Sequence, residues 1–540
     1  MKIGLCQINS TVGAFRSNRE KILSSYHRLV EEGADLVIFP ELIISGYPPQ
    51  DLLWEDGFVA ANLNSLDRIM REMTVPAIIG YIREEKGQLY NAAAAISDGC
   101  LEYSYDKQLL PTYDVFDEYR YFKPGTTPGL WRTTIAGETV TIGLEICEDL
   151  WDDEYATKVT QELLQEQVDI IVNISASPFQ KNRLSHRLDI IKDKVRGHNT
   201  PFVYCNLIGA QDELIFDGQS LILDGKQRLV GLGTPFEEDY VICDVNGVND
   251  EIIIDSNNRI ENIYEALCLG VKDYFKKSGH NDAIISLSGG IDSAVVACIA
   301  ADALGAEHVH TFGLPSKFSS DHSLTDAEQL AVNLDIEFRT IPIQAAVDQL
   351  EKDLAPIFDN LPRSTAEENI QARIRGNLVM AMANKFGWMV LSTGNKTEMA
   401  LGYCTLYGDM SGGLAVISDV SKQEIYALAR WINERAGYDR IPANIIRKTP
   451  SAELAPDQVD PFDYSVVSPL VDEIIENRKG IKELVALGYE EELVQHVSRL
   501  IRINEFKRQQ AAPGLRVSKK AFGVGRRIPI INHYQGNSDE

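Results

Sequence analysis

The chain is short of basic residues: 52 Lys and Arg stand against 79 Asp and Glu, a formal net charge of -27 over 540 residues. So negative a surface repels phosphate backbones, which argues against nucleic acid as a partner unless a local basic groove intervenes. Apolar runs of membrane-spanning length are missing, so no membrane partner is expected. The eight cysteines (6, 100, 147, 205, 243, 268, 298, 404) lie far apart without a CxxC pair, and the nine histidines include no HExxH spacing. That pattern excludes a disulfide framework and a structural zinc site, and it fits a reduced, cytoplasmic protein. The opening Met1-Lys2-Ile3-Gly4-Leu5-Cys6 enters a strand pattern directly, and the expectation is a chain without a signal peptide. Repeats and low-complexity tracts are also absent.

What is present suits two large globular domains: 44% hydrophobic and 24% charged residues. In the first half, strand-like runs (Ile3–Ile8, Leu36–Phe39, Ala77–Tyr81, Tyr90–Ile96, Thr139–Cys147, Ile170–Ile174, Phe202–Leu207) alternate with helical stretches such as Glu20–Glu32. Ser220–Leu223, Leu229–Leu232 and Tyr240–Val245 read as short hairpin strands. Asn- and Asp-rich breaks then place a linker at 246–260, between domains at 1–245 and 261–540. The second half opens with a helix near Ile263–Lys276. It continues as strands Ala283–Leu287, His308–Leu314, Glu337–Ile343 and Trp388–Ser392 separated by helices such as Leu324–Leu334. This order predicts an α/β, doubly wound parallel sheet with ligands at the carboxyl ends of its strands. Tyr438–Tyr464, rich in Pro and Asp, reads as a long loop.

Residues Ser286, Leu287, Ser288, Gly289, Gly290, Ile291, Asp292 and Ser293 form a strand–turn–helix passage. Its two glycines let the backbone curl around an anion, and the helix start adds a positive dipole end. Gly-Gly and Asp also serve as ordinary caps in a βα turn, but six consecutive residues in this context favour phosphate. The lysine of a nucleotide-hydrolysing P-loop is missing, and Asp292 needs a bridging Mg²⁺ to take part in phosphate binding. The run Ser288-Gly289-Gly290-Ile291-Asp292-Ser293 resembles the SGGxDS signature of the ATP-pyrophosphatase (PP-loop) family. That resemblance implies a cradle for the pyrophosphate of ATP and transfer of AMP to a substrate oxygen.

Downstream, "LPSKFSSDHSLTDAEQLA" offers Ser316, Ser319 and Ser320, and "STGNKTEMALGYCTLYGDMSGG" offers Thr393, Lys396, Glu398 and Asp409. With "RKTPSAELAPDQVDPF" and "NEFKRQQAAPGLRVS", these stretches closely resemble the NAD synthetases over nearly the whole second half. The resemblance implies ATP contacts from the turn, Thr393, Lys422 and Ser451. It implies deamido-NAD contacts from Asn369, Arg373, Arg375, Glu398 and Lys507, and Mg²⁺ ligands in Asp292 and Glu398.

Cys147 closes an apolar strand run, where a thiol is more often inert packing. Glu41 ends another strand run and Lys107 lies just before a loop, so a carboxylate, an ammonium and a thiol can converge above one sheet. The set resembles the Glu–Lys–Cys triad of the nitrilase (carbon–nitrogen hydrolase) family over about the first 245 residues. An α-β-β-α sandwich is the implied fold. Cys147 is the implied nucleophile, Glu41 the general base and Lys107 the oxyanion partner. Glu118 resembles the family's second glutamate, and Tyr113, Ser177 and Arg183 stand where relatives bind glutamine. Arg183 replaces a lysine common there, and the two differ in geometry.

Together the resemblances imply an enzyme that amidates deamido-NAD to NAD through an adenylate, with ammonia taken from glutamine. Its partners are the small molecules ATP, deamido-NAD and glutamine, its products include AMP, diphosphate and glutamate, and relatives associate as homo-oligomers. The alternative is another glutamine-dependent PP-loop synthetase acting on a different carboxylate or nucleotide.

Overall fold

The chain divides into two units, Met1–Asn258 and Arg259–Glu540. The computed structural model describes residues 1–254, 259–359, 361–456, 458–532 and 534; of the expected linker, residues 255–258 lie outside the described residues.

The inner strands of the first unit are buried on both faces, which is why they read as nearly continuous apolar runs. Two six-stranded sheets form. One has the order Asp239–Asp244, Lys2–Gln7, Leu36–Ile38, Ala77–Glu85, Gln88–Ser97, Cys100–Asp106. The other runs Leu229–Leu232, Leu221–Leu223, Phe202–Asn206, Ile170–Ser175, Glu138–Ile146, Gly129–Ile135. Alternate side chains divide between two layers, as a period of two requires. Ile3, Leu5, Leu36 and Ile38 meet Ile142, Leu144, Ile170 and Val172 between the sheets. Cys6, Val37 and Phe39 point the other way, to Ile22, Tyr26, Leu29, Leu66 and Ile69 of helices Phe15–Glu31 and Phe58–Met70. The second sheet's outer face carries helices Val159–Gln165 and Arg183–Lys194, through Leu163, Leu188 and Ile191. The layers are thus α-β-β-α, as expected.

The sequence reading missed the strands Cys100–Asp106 and Gly129–Ile135, whose exposed, polar positions break the apolar pattern. Leu221–Leu223 and Leu229–Leu232 do form a hairpin. Asp239–Asp244 instead crosses to the other sheet and pairs antiparallel with Lys2–Gln7. The run expected to end at Cys147 stops at Ile146, because Cys147 begins a 3-10 turn.

In the second unit five strands are parallel in the order Glu337–Thr340, Val309–Gly313, Ala283–Ser286, Met389–Ser392, Leu414–Ala415. The chain winds outward in both directions from the central Ala283–Ser286, as in a doubly wound sheet. The helix that follows this strand, Ile291–Leu304, is buried on nearly every side. That is why its sequence is apolar throughout, without an amphipathic stripe. Within the segment read as a loop, Ala443–Arg447 forms a short helix. Helices Tyr464–Ile475, Ile481–Ala486 and Glu491–Ile503 pack on one another through Val467, Leu470, Leu484, Val494 and Val497. Among the described residues no helix is long and apolar enough to cross a membrane.

The second sheet of the first unit carries a buried acid at Glu145, whose carboxylate accepts from Asn173 Nδ2 (3.0 Å) and Thr160 Oγ1 (2.9 Å). Burial pushes this carboxyl from its usual value near 4.5 up to about 8, the two hydrogen bonds opposing and Asp149 adding to the rise. Between those values the folded chain holds a proton that the unfolded chain releases, so this group's contribution to stability falls as pH rises through the window. Glu145→Gln, which stays neutral, is therefore expected to be more stable than the parent at pH 8, by an amount on the order of a few kcal/mol, and so to melt higher. The difference should fade towards pH 5; melting curves that differ equally at both pH values would contradict it.

Candidate active sites

In the first unit four strand ends bring three polar side chains and one backbone amide to one place. Glu41 follows Leu36–Ile38, Lys107 follows Cys100–Asp106, Cys147 follows Glu138–Ile146, and Ala176 follows Ile170–Ser175. Glu41 and Lys107 are fully buried, with exposures of 0% and 1%. The Lys107 ammonium donates to Glu41 Oε1 at 2.8 Å and to both Glu118 oxygens at 2.9 and 3.0 Å. Burial alone lowers its pKa, but Glu118, Glu41 and Cys147 together outweigh burial and hold it well above the usual lysine value. Asn91 Nδ2 donates to Glu41 Oε1 (2.7 Å), and the Ala176 amide donates to Glu41 Oε2 (2.8 Å). Glu118 also accepts from the Tyr47 hydroxyl at 2.9 Å, and burial pushes its carboxyl up.

Cys147 has a φ of +43°, a left-handed conformation that costs a side-chain-bearing residue about 1–3 kcal/mol. Asp149 holds it there. The Asp149 carboxylate accepts from the amides of Ile146 (2.9 Å), Gln108 (3.1 Å) and Leu109 (2.8 Å) and from the Tyr105 hydroxyl (2.8 Å). One acid thus ties the turn of Cys147 to the strand end of Lys107. Burial, then the Glu41 carboxylate, push the Cys147 thiol well above its ordinary value, with Lys107 opposing. The resting thiol is protonated and needs a base. Gly80 makes room for that base: any Cβ there would lie 2.3 Å from the Leu42 amide nitrogen and 2.5 Å from the Pro40 carbonyl.

Tyr113, Ser177 and Arg183 surround this centre differently from one another. Arg183 Nη2 donates to Ser177 Oγ at 3.0 Å, and its guanidinium lies 4.0 Å over the Trp151 ring. The Tyr113 hydroxyl instead donates to the Glu148 carboxylate (3.0 Å), as does that of Tyr155 (3.0 Å). Burial raises Glu148 to about 7. Sequence reading passed over Asn91, Asp149 and Glu148; the two acids were visible only as neighbours of Cys147.

The second centre lies at the carboxyl end of the parallel sheet. Ser286 ends the central strand, and the Leu287 amide donates to Phe312 O (3.0 Å). Gly289 has a φ of +73°, and a Cβ there would lie 2.1 Å from the Ser323 carbonyl oxygen, so only glycine fits. The Ser293 hydroxyl donates to Gly290 O (3.0 Å), and Ser288 Oγ accepts from the Gly290 amide (3.2 Å), which fixes the turn. Ile291 starts the buried helix, and Asp292 lies in its first turn. Lys422 Nζ bridges Asp292 Oδ2 (2.5 Å) and Glu398 Oε1 (3.0 Å). Burial lowers the lysine's pKa, and the two carboxylates outweigh that and raise it overall. Glu398 is pushed up to about 7 by burial, with Lys422 opposing.

Among the described residues no group of three or more His, Cys, Asp or Glu forms a metal cage. Two carboxylates do converge on one cation, however, and Mg²⁺ is commonly held by one or two carboxylates plus phosphate oxygens. The donors at Asp292 and Glu398 fit such an ion.

Asn369, Arg373 and Lys507 meet on a single segment. Asn369 Oδ1 accepts from Thr405 Oγ1 (2.7 Å), Arg373 Nε donates to Leu406 O (3.2 Å), and Lys507 Nζ donates to Gly402 O and Cys404 O (2.8 Å each). Arg375 turns elsewhere, donating to Leu314 O (2.9 Å) beyond the second strand, where burial lowers it to about 10. Thr393 directly follows the strand Met389–Ser392. Ser451 is engaged within its own loop, donating to Gln458 O (2.6 Å), and it is Glu453 that reaches Ser320 and Ser323 (2.8 and 2.7 Å). Lys396 is not at the site: its ammonium is buried against Glu476 (2.5 Å) and Asp472 (3.0 Å). Sequence reading missed Asn395, which joins Asp292 to Glu398.

Residues 2–249 match the carbon-nitrogen hydrolase family and residues 263–511 the NAD synthase family. The chain is 41% identical to the glutamine-dependent NAD(+) synthetase of Synechocystis sp., over 99% of this chain and 100% of that one. With the enzyme of the same name from Thermotoga maritima the identity is 37%, over 99% of each chain. The solved structure of glutamine-dependent NAD+ synthetase from Acinetobacter baumannii in complex with adenosine diphosphate is similar at a TM-score of 0.78 and 34% identity, covering 99% of each chain.

Gly289→Ala forces the turn away from Ser323 and is expected to weaken pyrophosphate binding at least tenfold in equilibrium dialysis, with the far-ultraviolet dichroism unchanged. Unaltered affinity would separate this turn from phosphate binding.

Proposed function

The chain belongs to the glutamine-dependent NAD(+) synthetases, and on that premise we propose how its residues divide the reaction. It is a carbon–nitrogen ligase that amidates deamido-NAD to NAD with nitrogen from glutamine. Residues 1–245 release ammonia and 261–540 consume it. The clustering of Glu41, Lys107 and Glu118 beside a strained Cys147 is the observation that carries the first assignment.

Glu41 takes the thiol proton, and the sulfur attacks the amide carbon of glutamine. The oxyanion that forms faces the Lys107 ammonium, which Glu118 and Glu41 hold in place. Glu41 then gives its proton to the departing nitrogen, and ammonia leaves a thioester on Cys147. Water activated by the same carboxylate hydrolyses the thioester to glutamate. Arg183, with Ser177, is suited to the substrate's carboxylate, since its guanidinium is held by the neutral Ser177 hydroxyl and the Trp151 ring. Tyr113 bounds the same pocket through Glu148.

In the second unit ATP lies with its β and γ phosphates in the turn Ser288–Ser293. The nicotinate carboxylate attacks the α phosphorus, pyrophosphate leaves into the turn, and ammonia displaces AMP from the adenylate. Asp292 and Glu398 would hold Mg²⁺, which would offset charge on the leaving pyrophosphate. Lys422, Thr393 and Ser451 contact ATP. Asn369, Arg373, Arg375, Glu398 and Lys507 contact deamido-NAD, three of them through the segment Gly402–Leu406 that they also order. The widely separated cysteines support a cytoplasmic location. By analogy with its family, the enzyme works as a homo-oligomer.

Cys147→Ala is expected to abolish glutamine-driven NAD formation while leaving ammonium-driven formation within about twofold of the parent; loss of both would sink the two-centre assignment. Glu41→Gln should behave alike in the same assay.

A further inference from the structure

We propose that Lys422 occupies the divalent-cation position of the free enzyme with its own ammonium, so that the cation enters only with the nucleotide whose phosphates draw that ammonium away. This rests on the reading of Asp292 and Glu398 as cation ligands beside a phosphate turn. The two carboxylates come from different helices, Ile291–Leu304 and Lys396–Leu401, yet Asp292 Oδ2 and Glu398 Oε1 lie 2.5 and 3.0 Å from one nitrogen.

Lys422 is not what aligns them. Asn395, fully buried, donates from Nδ2 to Asp292 Oδ1 at 2.8 Å, and its Oδ1 accepts from the Glu398 amide at 3.1 Å. One oxygen of Asp292 is thereby fixed by an amide, and the other is left facing the cation position. The backbone of Lys422 is anchored as well, its amide donating to Thr397 Oγ1 at 3.2 Å. Only the four-carbon arm has to move.

Two cations cannot share so small a position, because a monovalent and a divalent charge a few ångströms apart repel strongly in a buried site. An ammonium that leaves two carboxylates needs another anion, and the nearest on this reading are phosphates cradled by Ser288–Ser293, at the start of the helix that carries Asp292. Nucleotide and cation therefore favour each other's binding, and linkage makes the effect reciprocal.

Mn²⁺ binding to the full chain, followed by electron paramagnetic resonance with and without α,β-methylene-ATP, tests this. Without nucleotide, Lys422→Gln should bind Mn²⁺ at least tenfold more tightly than the parent, while Lys422→Arg, which keeps the charge, should bind as weakly as the parent. The melting temperature of Lys422→Gln should rise with Mn²⁺ alone, a readout that holds even if the variant is less stable, and that of the parent should not. A parent that binds Mn²⁺ without nucleotide as tightly as Lys422→Gln overturns the proposal. Asp292→Asn separates the two levels. If it weakens Mn²⁺ binding in the presence of α,β-methylene-ATP, the ligand reading stands whatever Lys422 does. If it changes nothing there, the ligand reading itself fails, and the proposal with it.

Discussion

Lys107, buried between Glu41 and Glu118, is the contact on which the first unit's chemistry turns. A charge taken out of water must be paired and hydrogen-bonded or it loses its charge. Here one ammonium meets two carboxylates, so the cluster carries a surplus negative charge that resists a further anion. The thiol of Cys147 is held protonated by that surplus and by burial. The arrangement suits the base-assisted attack proposed above, in which the thiol proton passes to Glu41 and the negative charge then moves to an oxygen facing Lys107.

The same motif, an ammonium between two carboxylates, recurs at Lys422 with the opposite consequence. Lys107 is held by Glu41 past one strand end and by Glu118 in the 3-10 turn Glu118–Arg120, and its surroundings make it a fixed electrostatic partner. Lys422 sits at the first turn of a helix with its backbone amide bonded to Thr397, beside the turn Ser288–Ser293 that we propose holds phosphate. On the proposals above, rigid surroundings make one ammonium part of the catalytic scaffold, and an arm that can swing from an anchored backbone makes the other exchangeable.

Backbone geometry supplies the precision in both units. Cys147 is held at a positive φ by an acid that gathers three amides and a hydroxyl, and Gly289 lets the phosphate turn pass against Ser323. In each case the reactive group lies just past a strand. There the sheet no longer uses the backbone polar groups, and they are free to face a ligand.

The sequence alone determined the layers and marked the candidate chemistry-bearing residues. A period of two with both faces apolar specifies buried strands, and an apolar strand followed by SGGxDS specifies a phosphate turn, since both depend on neighbours along the chain. Glu41 and Cys147 were legible because each closes an apolar run, whereas Lys107 follows the polar strand Cys100–Asp106 and was legible only through the family resemblance. What tertiary structure alone decided are the residues that matter through contacts between distant segments. Asn91 bridges two acids, Asp149 joins two strand ends, Asn395 aligns Asp292 with Glu398, and Lys396 is turned from the site into a buried ion pair. The polar edge strands Cys100–Asp106 and Gly129–Ile135 belong with them, because pairing across a sheet, not local pattern, makes them strands. Periodicity records which face a residue presents; only the packed chain determines which side chain it meets there.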